Sequence, residues 1–331
     1  MNAALLLART LRDPASARGL TAQQWTTLFA VARAEQLIGT LATRIHGLPM
    51  PDDARRIVRD AIASAEQGRT AALWEAEMAR RALGDIAVVL LKGTAFVAAG
   101  LEAGRGRSIG DLDILVPRDL IEEAETRLLA AGWEWVKPDP YDDEYYRRWM
   151  HELPPLIHRD RDRMIDVHHT ILPLTARITP DAQGILDAAV WLGNGCKHPA
   201  PNDMLCHAAA HLFADGDLAG GIRNLWDIWC LVEEFGVEGL EARAEHHGLA
   251  GEMTRAIRLS HALYGPEPLA GTSGGWGDNL YLRRLTARDD WGRPTRKFTR
   301  LAFYIRSHWL RMPPAMLLRH LWTKWRKGHA P

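Results

Sequence analysis

The sequence predicts an α/β fold of the α+β kind, in which a small mixed sheet forms a core flanked by N-terminal and C-terminal helical regions. Apolar side chains recur at helical spacing through residues 1–84. Short apolar or alternating runs, separated by glycine and proline, then predict a sheet core at residues 85–175. Helical spacing returns in a helical domain at residues 176–265, and residues 266–331 are predicted to form a linker and basic C-terminal helices.

The N-terminal helical region has recognisable helix boundaries. Thr21 stands at a helix cap, and Trp25 opens a run of apolar residues at helical spacing. Pro51 interrupts this pattern. A long helix rich in alanine, arginine and glutamate is then predicted at 52–83, and it ends at Gly84.

The central segment changes character after Gly84, because continuous apolar runs replace the helical spacing. The expected elements are, in order, a buried strand at 86–91, a short helix at 94–101, a strand at 111–116, a helix at 120–131, a half-exposed strand at 133–136, an acidic and tyrosine-rich irregular segment at 138–149, and a β-hairpin with strands at 153–158 and 164–171. The motifs that carry chemistry all lie in this segment.

Two aspartates on the second predicted strand are the first candidate site residues. Side chains two apart on a strand share a face, so Asp111 and Asp113 project together, about 6 to 7 Å apart along the strand. Carboxylates this close repel each other unless a cation lies between them, and oxygen ligands suit Mg²⁺ or Mn²⁺. An isolated aspartate pair is more often an ordinary solvated strand end, so the prediction depends on its neighbours.

A third carboxylate, Asp166, is expected beside this pair. Alternation places Asp166 and His168 on one face of the last predicted strand. If that strand lies next to the strand of Asp111 and Asp113, the three carboxylates meet. Three such groups would allow two-metal chemistry on an activated hydroxyl. His168 either orients Asp166 or is a strand histidine bonded elsewhere.

An anion-binding element is predicted just upstream, where a strand passes into a helix. Backbone N–H groups and the helix dipole at Lys92, Gly93 and Thr94 favour phosphate. Gly93 would permit close approach, Thr94 would donate a hydroxyl, and Lys92 would neutralise phosphate charge. Arg107 is a second cation that enters the same place. Phosphate binding beside three carboxylates indicates phosphoryl or nucleotidyl transfer with a divalent metal.

At this point the chain resembles the polymerase-β-like nucleotidyltransferases, and most of all an uncharacterised bacterial branch of them. The resemblance covers roughly residues 20–235, and its lysine–glycine opening is also similar to nucleotidyltransferase toxins of abortive-infection and toxin–antitoxin systems. The matching motifs are Lys92-Gly93, Arg107-Ser108-Ile109-Gly110-Asp111-Leu112-Asp113, Ile165-Asp166-Val167-His168, and a downstream helix pair that includes His207, His211 and Asp227.

The resemblance implies the roles of the site residues. Asp111, Asp113 and Asp166 would be the catalytic residues and the ligands of Mg²⁺ or Mn²⁺. The nucleoside triphosphate (NTP) substrate, ATP among the candidates, would be bound by Lys92, Gly93, Thr94, Arg107, Ser108 and His168. The reaction would transfer NMP from the NTP to a hydroxyl of an unknown acceptor, which is RNA, a protein or a small molecule, with release of pyrophosphate.

Two other functions remain open at this stage. A glycosyltransferase would use the aspartate pair to hold a metal and a nucleotide sugar, but it leaves Lys92 and Asp166 without roles. A catalytically silent binding module of the same fold would dock through its basic tail. His207 and His211, four residues apart, either share a metal or are buried and hydrogen bonded.

Composition narrows the setting and leaves the partners open. The formal net charge is +0, so global charge indicates neither a nucleic-acid nor a membrane partner. Three cysteines without metal-ligand spacing, and no apolar run near the ~20 residues that span a bilayer, predict a cytoplasmic protein.

The basic tail has three interpretations. From residue 291 onward it contains arginine, lysine and tryptophan but no acidic residue. It would contact a nucleic-acid backbone, lie on an anionic membrane through the apolar stripe of Leu317, Leu318, Leu321, Trp322 and Trp325, or pack on its own domain.

Overall fold

The computed structural model describes residues 2–193, 195–266 and 276–313, together with residues 317, 318 and 322. Their α-helices are α1 (Ala3–Arg12), α2 (Ala22–Ala34), α3 (Ile38–Ile45), α4 (Asp52–Leu83), α5 (Lys92–Ala98), α6 (Ile121–Ala130), α7 (Pro140–Trp149), α8 (Ala182–Asp187), α9 (Pro201–Ala209), α10 (Gly221–Phe235), α11 (Leu240–His246), α12 (Ala250–Tyr264), α13 (Trp276–Leu285) and α14 (Lys297–Arg311). Their strands are β1 (Val89–Leu90), β2 (Leu112–Leu115), β3 (Trp133–Trp135), β4 (Leu156–His158), β5 (Met164–His168), β6 (Val190–Trp191) and β7 (Lys197–His198).

One mixed sheet forms the centre of the molecule, with strand order β3-β4-β5-β2-β1-β7-β6. The pairs β2–β5 and β1–β7 are parallel, and the other neighbours are antiparallel. The predicted hairpin is the β4–β5 pair, with Leu156 opposite Ile165. The α+β class with helical regions on either side of a small mixed sheet is therefore confirmed.

The N-terminal helices begin where capping residues predict. Thr21 accepts a hydrogen bond from the backbone N–H of Gln24, whose side chain accepts one from the N–H of Thr21. This reciprocal capping box satisfies two amide groups that the first turn of α2 would otherwise leave unpaired. Trp25 and Leu28 are then buried on the inner side of the helix. The long helix α4 follows and packs on α3, α5 and α6.

The core is continuous across the chain. One cluster of buried apolar side chains runs from Ala3 in α1, through the sheet, to Phe303 in α14. Burial of these side chains is the main stabilising contribution. The four segments predicted from composition share this cluster, and their boundaries stay a prediction.

Residues 138–149 were expected to be irregular, and this expectation is wrong. The segment contains α7, which begins at Pro140. The Asp139 carboxylate accepts hydrogen bonds from the N–H groups of Tyr141 and Asp142, so it caps the helix. Proline at the first helical position costs no hydrogen bond.

Residues 176–265 are predicted to form a helical domain, but they also form two short strands. These strands are β6 and β7, and β7 pairs in parallel with β1 through Val89 and Lys197. The main sheet is therefore extended on the β1 side by residues that lie over a hundred positions later in the chain.

The C-terminal part contains α13 and α14, and the described portion of α14 has an exposed apolar face formed by Phe298, Leu301, Ile305 and Trp309. Most of the predicted linker (residues 267–275), and Leu321 and Trp325 of the predicted stripe, lie outside the described residues. Contact of the tail with nucleic acid or a membrane stays a prediction. None of the helices formed by the described residues is both long and apolar enough to cross a membrane.

Candidate active site

Strands β2 and β5 bring two of the predicted carboxylates side by side. The two strands are parallel neighbours, and Asp113 is paired with Asp166 in their register. Paired residues of neighbouring strands point to the same face, so both carboxylates lie on one face of the sheet. Asp111 lies directly before β2, two residues from Asp113, and is exposed.

Asp113 is buried and surrounded by donors. Its Oδ1 accepts a hydrogen bond from Lys92 Nζ at 2.6 Å and lies 3.0 Å from His168 Nε2. Burial alone would raise the pKa of Asp113, but the charge of Lys92 and the hydrogen bond with His168 outweigh it and hold that pKa well below its usual range. Asp113 is therefore ionised inside the fold.

Asp166 has the opposite electrostatic environment. Burial, together with the negative charges of Asp113 and Asp111, raises the pKa of Asp166 to about 7. Its Oδ1 is buried and has no hydrogen-bond partner. A buried carboxylate oxygen without a donor costs free energy. An ionised Asp166 therefore has too little positive charge around it.

A divalent cation fits this deficit. Asp111, Asp113 and Asp166 offer hard oxygen ligands, which Mg²⁺ and Mn²⁺ prefer, and a cation would relieve the repulsion that raises the pKa of Asp166. The ammonium of Lys92 already neutralises Asp113 Oδ1. A metal ion would therefore share the Asp113 carboxylate with Lys92 or displace the Lys92 ammonium from it.

The predicted anion-binding turn differs in detail from expectation. Helix α5 begins at Lys92, which has a positive φ of 48°, and Thr94 is buried. A side chain at position 93 would place its Cβ 2.5 Å from Arg107 Nε. Glycine at 93 is therefore required by the packing of Arg107.

Arg107 is held in place by a residue far along the chain. Its guanidinium forms a buried ion pair with Asp227 of α10 and lies 5.2 Å from the centre of the Phe96 ring. The carbonyl oxygen of the next residue, Ser108, accepts a hydrogen bond from Arg223 at 3.2 Å. The charge of Arg107 is thus largely neutralised by Asp227, a partner that the sequence did not indicate.

Lys92, Arg107 and Asp113 line a cavity of about 790 Å³, a size typical of ligand pockets. Its charged and polar lining consists of Arg33, Glu35, Gln36, Lys92, Arg107, Ser108, Asp111, Asp113, His207, His211, Arg223, Asn224, Asp227 and Arg288. Asp166 and His168 are not among the described lining residues, but each is a neighbour of Asp113, which lines the cavity. The cavity combines arginine and lysine side chains with the exposed carboxylate of Asp111.

The sequence profile of a family described as uncharacterised nucleotidyltransferases matches residues 21–265, which is most of the chain. The chain belongs to this family. The match includes all the predicted site residues and excludes the basic tail. No curated protein matches the sequence.

In this member of the nucleotidyltransferase family, two residues near the site were not predicted from the sequence. His151 and Glu152, with His168, form the one group of three within the described residues whose metal-binding atoms all lie within 4.8 Å of one another. The three aspartates do not form so compact a group. Glu152 is paired with His168 by a single antiparallel β-bridge. One bridge produces no periodic pattern in the sequence, so the pairing could not be predicted.

Tyr146 of helix α7 lies near these carboxylates. Burial, followed by the nearby charges of Glu152 and Asp166, raises the pKa of Tyr146 to about 12. The tyrosine-rich segment therefore contributes Tyr146 to the surroundings of the carboxylates.

His207 and His211 line the cavity separately. His207 is buried, and burial holds its pKa well below the usual value, so it is neutral. His211 is exposed at the start of a π-helical turn that follows α9. Neither belongs to the compact group that could hold a metal within the described residues.

Proposed function

We propose that this chain is a Mg²⁺-dependent nucleotidyltransferase that transfers NMP from an NTP to an acceptor hydroxyl and releases pyrophosphate. The observation that carries the proposal is the parallel register that pairs Asp113 with Asp166 beside a nucleotide-sized cavity. Membership of a nucleotidyltransferase family supports the same reaction class and favours it over the use of a nucleotide sugar.

Asp111, Asp113 and Asp166 would hold the metal ions. Bound there, Mg²⁺ or Mn²⁺ would neutralise charge on the transferred phosphate and lower the pKa of the attacking hydroxyl. The chain's own contribution is mainly positioning and charge, so no nucleophilic side chain is required.

The cations of the cavity would bind the triphosphate. Lys92 lies beside Asp113, and Arg223 and Arg288 line the same cavity. Burial lowers the pKa of Arg223 to about 10, so it stays charged at neutral pH. His168 would orient Asp113 through the contact at Oδ1, and Arg107 would act as a positioning residue through Asp227.

The proposed acceptor is a hydroxyl of an RNA 3′ end, a protein or a small molecule. We also propose a cytoplasmic location, which the three free cysteines, Cys196, Cys206 and Cys230, support.

The experiment is incubation of the full chain with each α-³²P-labelled NTP and Mg²⁺ or Mn²⁺, with RNA, total protein and a small-molecule extract as acceptors. Wild type is expected to transfer label, and Asp111→Asn is expected to abolish the transfer. Asp111 is exposed, so its substitution leaves the core intact. Asp113→Ala tests the buried partner.

The matched control is Asp119→Asn, an exposed carboxylate outside the cavity, which should transfer label like wild type. Unchanged transfer by a folded Asp111→Asn variant would refute the proposal. Binding of the tail to RNA or vesicles with no transfer of label from any NTP would support a silent binding module.

A further inference from the structure

A second group of metal-ligand type lies beside Asp113 and consists of His151, Glu152 and His168. Glu152 Oε2 is 3.4 Å from His168 Nδ1 and 3.7 Å from His151 Nε2. The ring centres of the two histidines are 5.1 Å apart, and the ring planes are tilted by 30°. The side chain of His168 is 1% exposed, whereas those of His151 and Glu152 are 12% and 15% exposed, so the group is buried but reachable.

The two nitrogens of His168 face two carboxylates. Nε2 lies 3.0 Å from Asp113 Oδ1, and Nδ1 lies 3.4 Å from Glu152 Oε2. A neutral imidazole has one N–H and one lone pair, so either tautomer directs a lone pair at a carboxylate oxygen. The short contact assigns the N–H to Nε2, which leaves Nδ1, buried and without a hydrogen-bond partner, facing Glu152. A lone pair and a carboxylate oxygen in this position repel each other, and a cation between them would relieve that repulsion.

Two of the three ligand separations are close to those around a tetrahedral metal ion, and the third is below 4.8 Å. Nitrogen and oxygen ligands at about 2.0 to 2.2 Å from tetrahedral Zn²⁺ lie roughly 3.3 to 3.6 Å from one another. The two distances at Glu152 Oε2 are close to this range. Two histidines and one glutamate form a ligand set typical of zinc sites with an open fourth position.

Asp113 supplies the outer support that such sites use. A histidine that binds a metal through one nitrogen donates its other N–H to a carboxylate, which fixes the ring and its tautomer. His168 makes this contact with Asp113 Oδ1. The same carboxylate therefore adjoins both the aspartate site and the histidine group.

We propose that His151 Nε2, His168 Nδ1 and the Glu152 carboxylate bind a transition-metal ion of the Zn²⁺ class, with Asp113 as the outer partner of His168. This site is distinct from the aspartate site, because imidazole nitrogen selects Zn²⁺ whereas carboxylate oxygen alone suits Mg²⁺. It does not depend on the proposed nucleotidyl transfer.

The test is titration of the tag-free, chelator-treated full chain with Zn²⁺ and with Co²⁺. We expect one equivalent of Zn²⁺ per chain and a visible Co²⁺ spectrum of tetrahedral intensity. Glu152→Gln and His151→Ala should weaken Zn²⁺ binding more than 100-fold, and Asp113→Asn roughly 10- to 100-fold, the range measured for outer partners. His46→Ala, an exposed histidine at the end of α3, is the matched control and should bind like wild type.

If the variants that lose Zn²⁺ binding fold poorly, a variant that gains a spectroscopic signal still tests the site. His151→Cys keeps three ligands and should add a thiolate-to-Co²⁺ charge-transfer band that His46→Cys lacks. Asp111→Asn should keep full Zn²⁺ affinity while losing NTP transfer, so the failure of one proposal is separable from the failure of the other.

Three binding results, and one NMR result, would overturn the proposal. The binding results are the absence of stoichiometric Zn²⁺ and Co²⁺ binding, equal binding by Glu152→Gln and wild type, or no new band in a folded His151→Cys variant. An NMR spectrum with both His168 nitrogens protonated, unchanged by Zn²⁺, would show that a proton occupies the position.

Discussion

Asp113 and Asp166 are neighbours in one sheet register, yet their environments shift their pKa values in opposite directions. Lys92 and His168 keep Asp113 ionised, whereas burial and the adjacent carboxylates raise the pKa of Asp166 to about 7. Pairs of carboxyl groups separated in this way are a common feature of catalytic sites. Alternation along the strands predicted the face on which each carboxylate lies, but the difference in charge state depends on side chains from other elements.

Asp166→Asn is expected to change the pH dependence of stability. The folded, metal-free protein keeps a proton on Asp166 up to about pH 7, whereas the unfolded chain loses it near the ordinary pKa of 3.8. The stabilisation from this proton is complete below pH 4 and is lost as pH rises through 7. The variant should therefore be more stable than wild type at pH 8, by roughly 1 to 3 kcal/mol, and by about half of that or less at pH 5.

Urea unfolding with chelator present, at pH 5 and pH 8, measures this difference. Asp119→Asn, an exposed aspartate, is the control and should show no such pH dependence. A difference for Asp166→Asn that is the same at both pH values would contradict the environment assigned to Asp166.

Gly93→Ala is expected to destabilise the fold. The new Cβ would lie 2.5 Å from Arg107 Nε, and Arg107 is held by Asp227 and the Phe96 ring, so it has little room to move. Overpacking of this kind costs about 1 to 3 kcal/mol. Chemical denaturation measures the loss.

The control for position 93 is Gly110→Ala, because no atom lies within 4 Å of a Cβ at position 110. Equal stability of the two variants would show that Arg107 yields easily. The NTP affinity of Gly93→Ala should also fall, since Arg107 lines the cavity.

At the scale of elements, helix α7 shows that caps are more informative than composition. Its tyrosines and acidic residues suggested an irregular segment, but Asp139, Pro140 and the ion pairs Asp143–Arg147 and Glu144–Arg148 all favour a helix. The capping signal was present in the sequence. Strands β6 and β7, in contrast, have two residues each, too few for any periodicity to indicate them.

Asp139→Ala should destabilise α7 by about 1 kcal/mol, because two backbone N–H groups lose their acceptor. Faster amide hydrogen exchange within α7 would report it. Glu144→Ala, which removes only an exposed ion pair with Arg148, should cost less than about 0.5 kcal/mol. Equal exchange in both variants would contradict the capping role.

At the scale of the whole molecule, the Arg107–Asp227 pair joins the loop before β2 to helix α10. Both side chains are buried, so Arg107→Met would leave an unpaired charge and cost about 3 to 5 kcal/mol. The double variant Arg107→Met/Asp227→Leu should recover most of this loss, because no charge is then left buried.

A double-mutant cycle in chemical denaturation measures this coupling. Arg105→Met, which breaks only the surface pair with Glu102, is the matched control and should cost less than about 1 kcal/mol. Additive effects of the two single substitutions would refute the coupling between Arg107 and Asp227.

The sequence by itself determined what depends on near neighbours. These features are the α+β class, the cap of α2, the hairpin β4–β5, and the faces on which Asp111, Asp113 and Asp166 project. Periodicity and caps express local preferences, so they can be recognised without knowing the path of the chain.

Only the tertiary structure decided which distant residues meet. It paired Asp113 with Asp166, placed Asp227 against Arg107 across 120 positions, and brought Glu152 to His168. Such contacts follow from strand order and helix packing, which no local pattern encodes. For that reason the three aspartates could be proposed from the sequence, while the two additional ligands of the proposed zinc site emerged only from the fold.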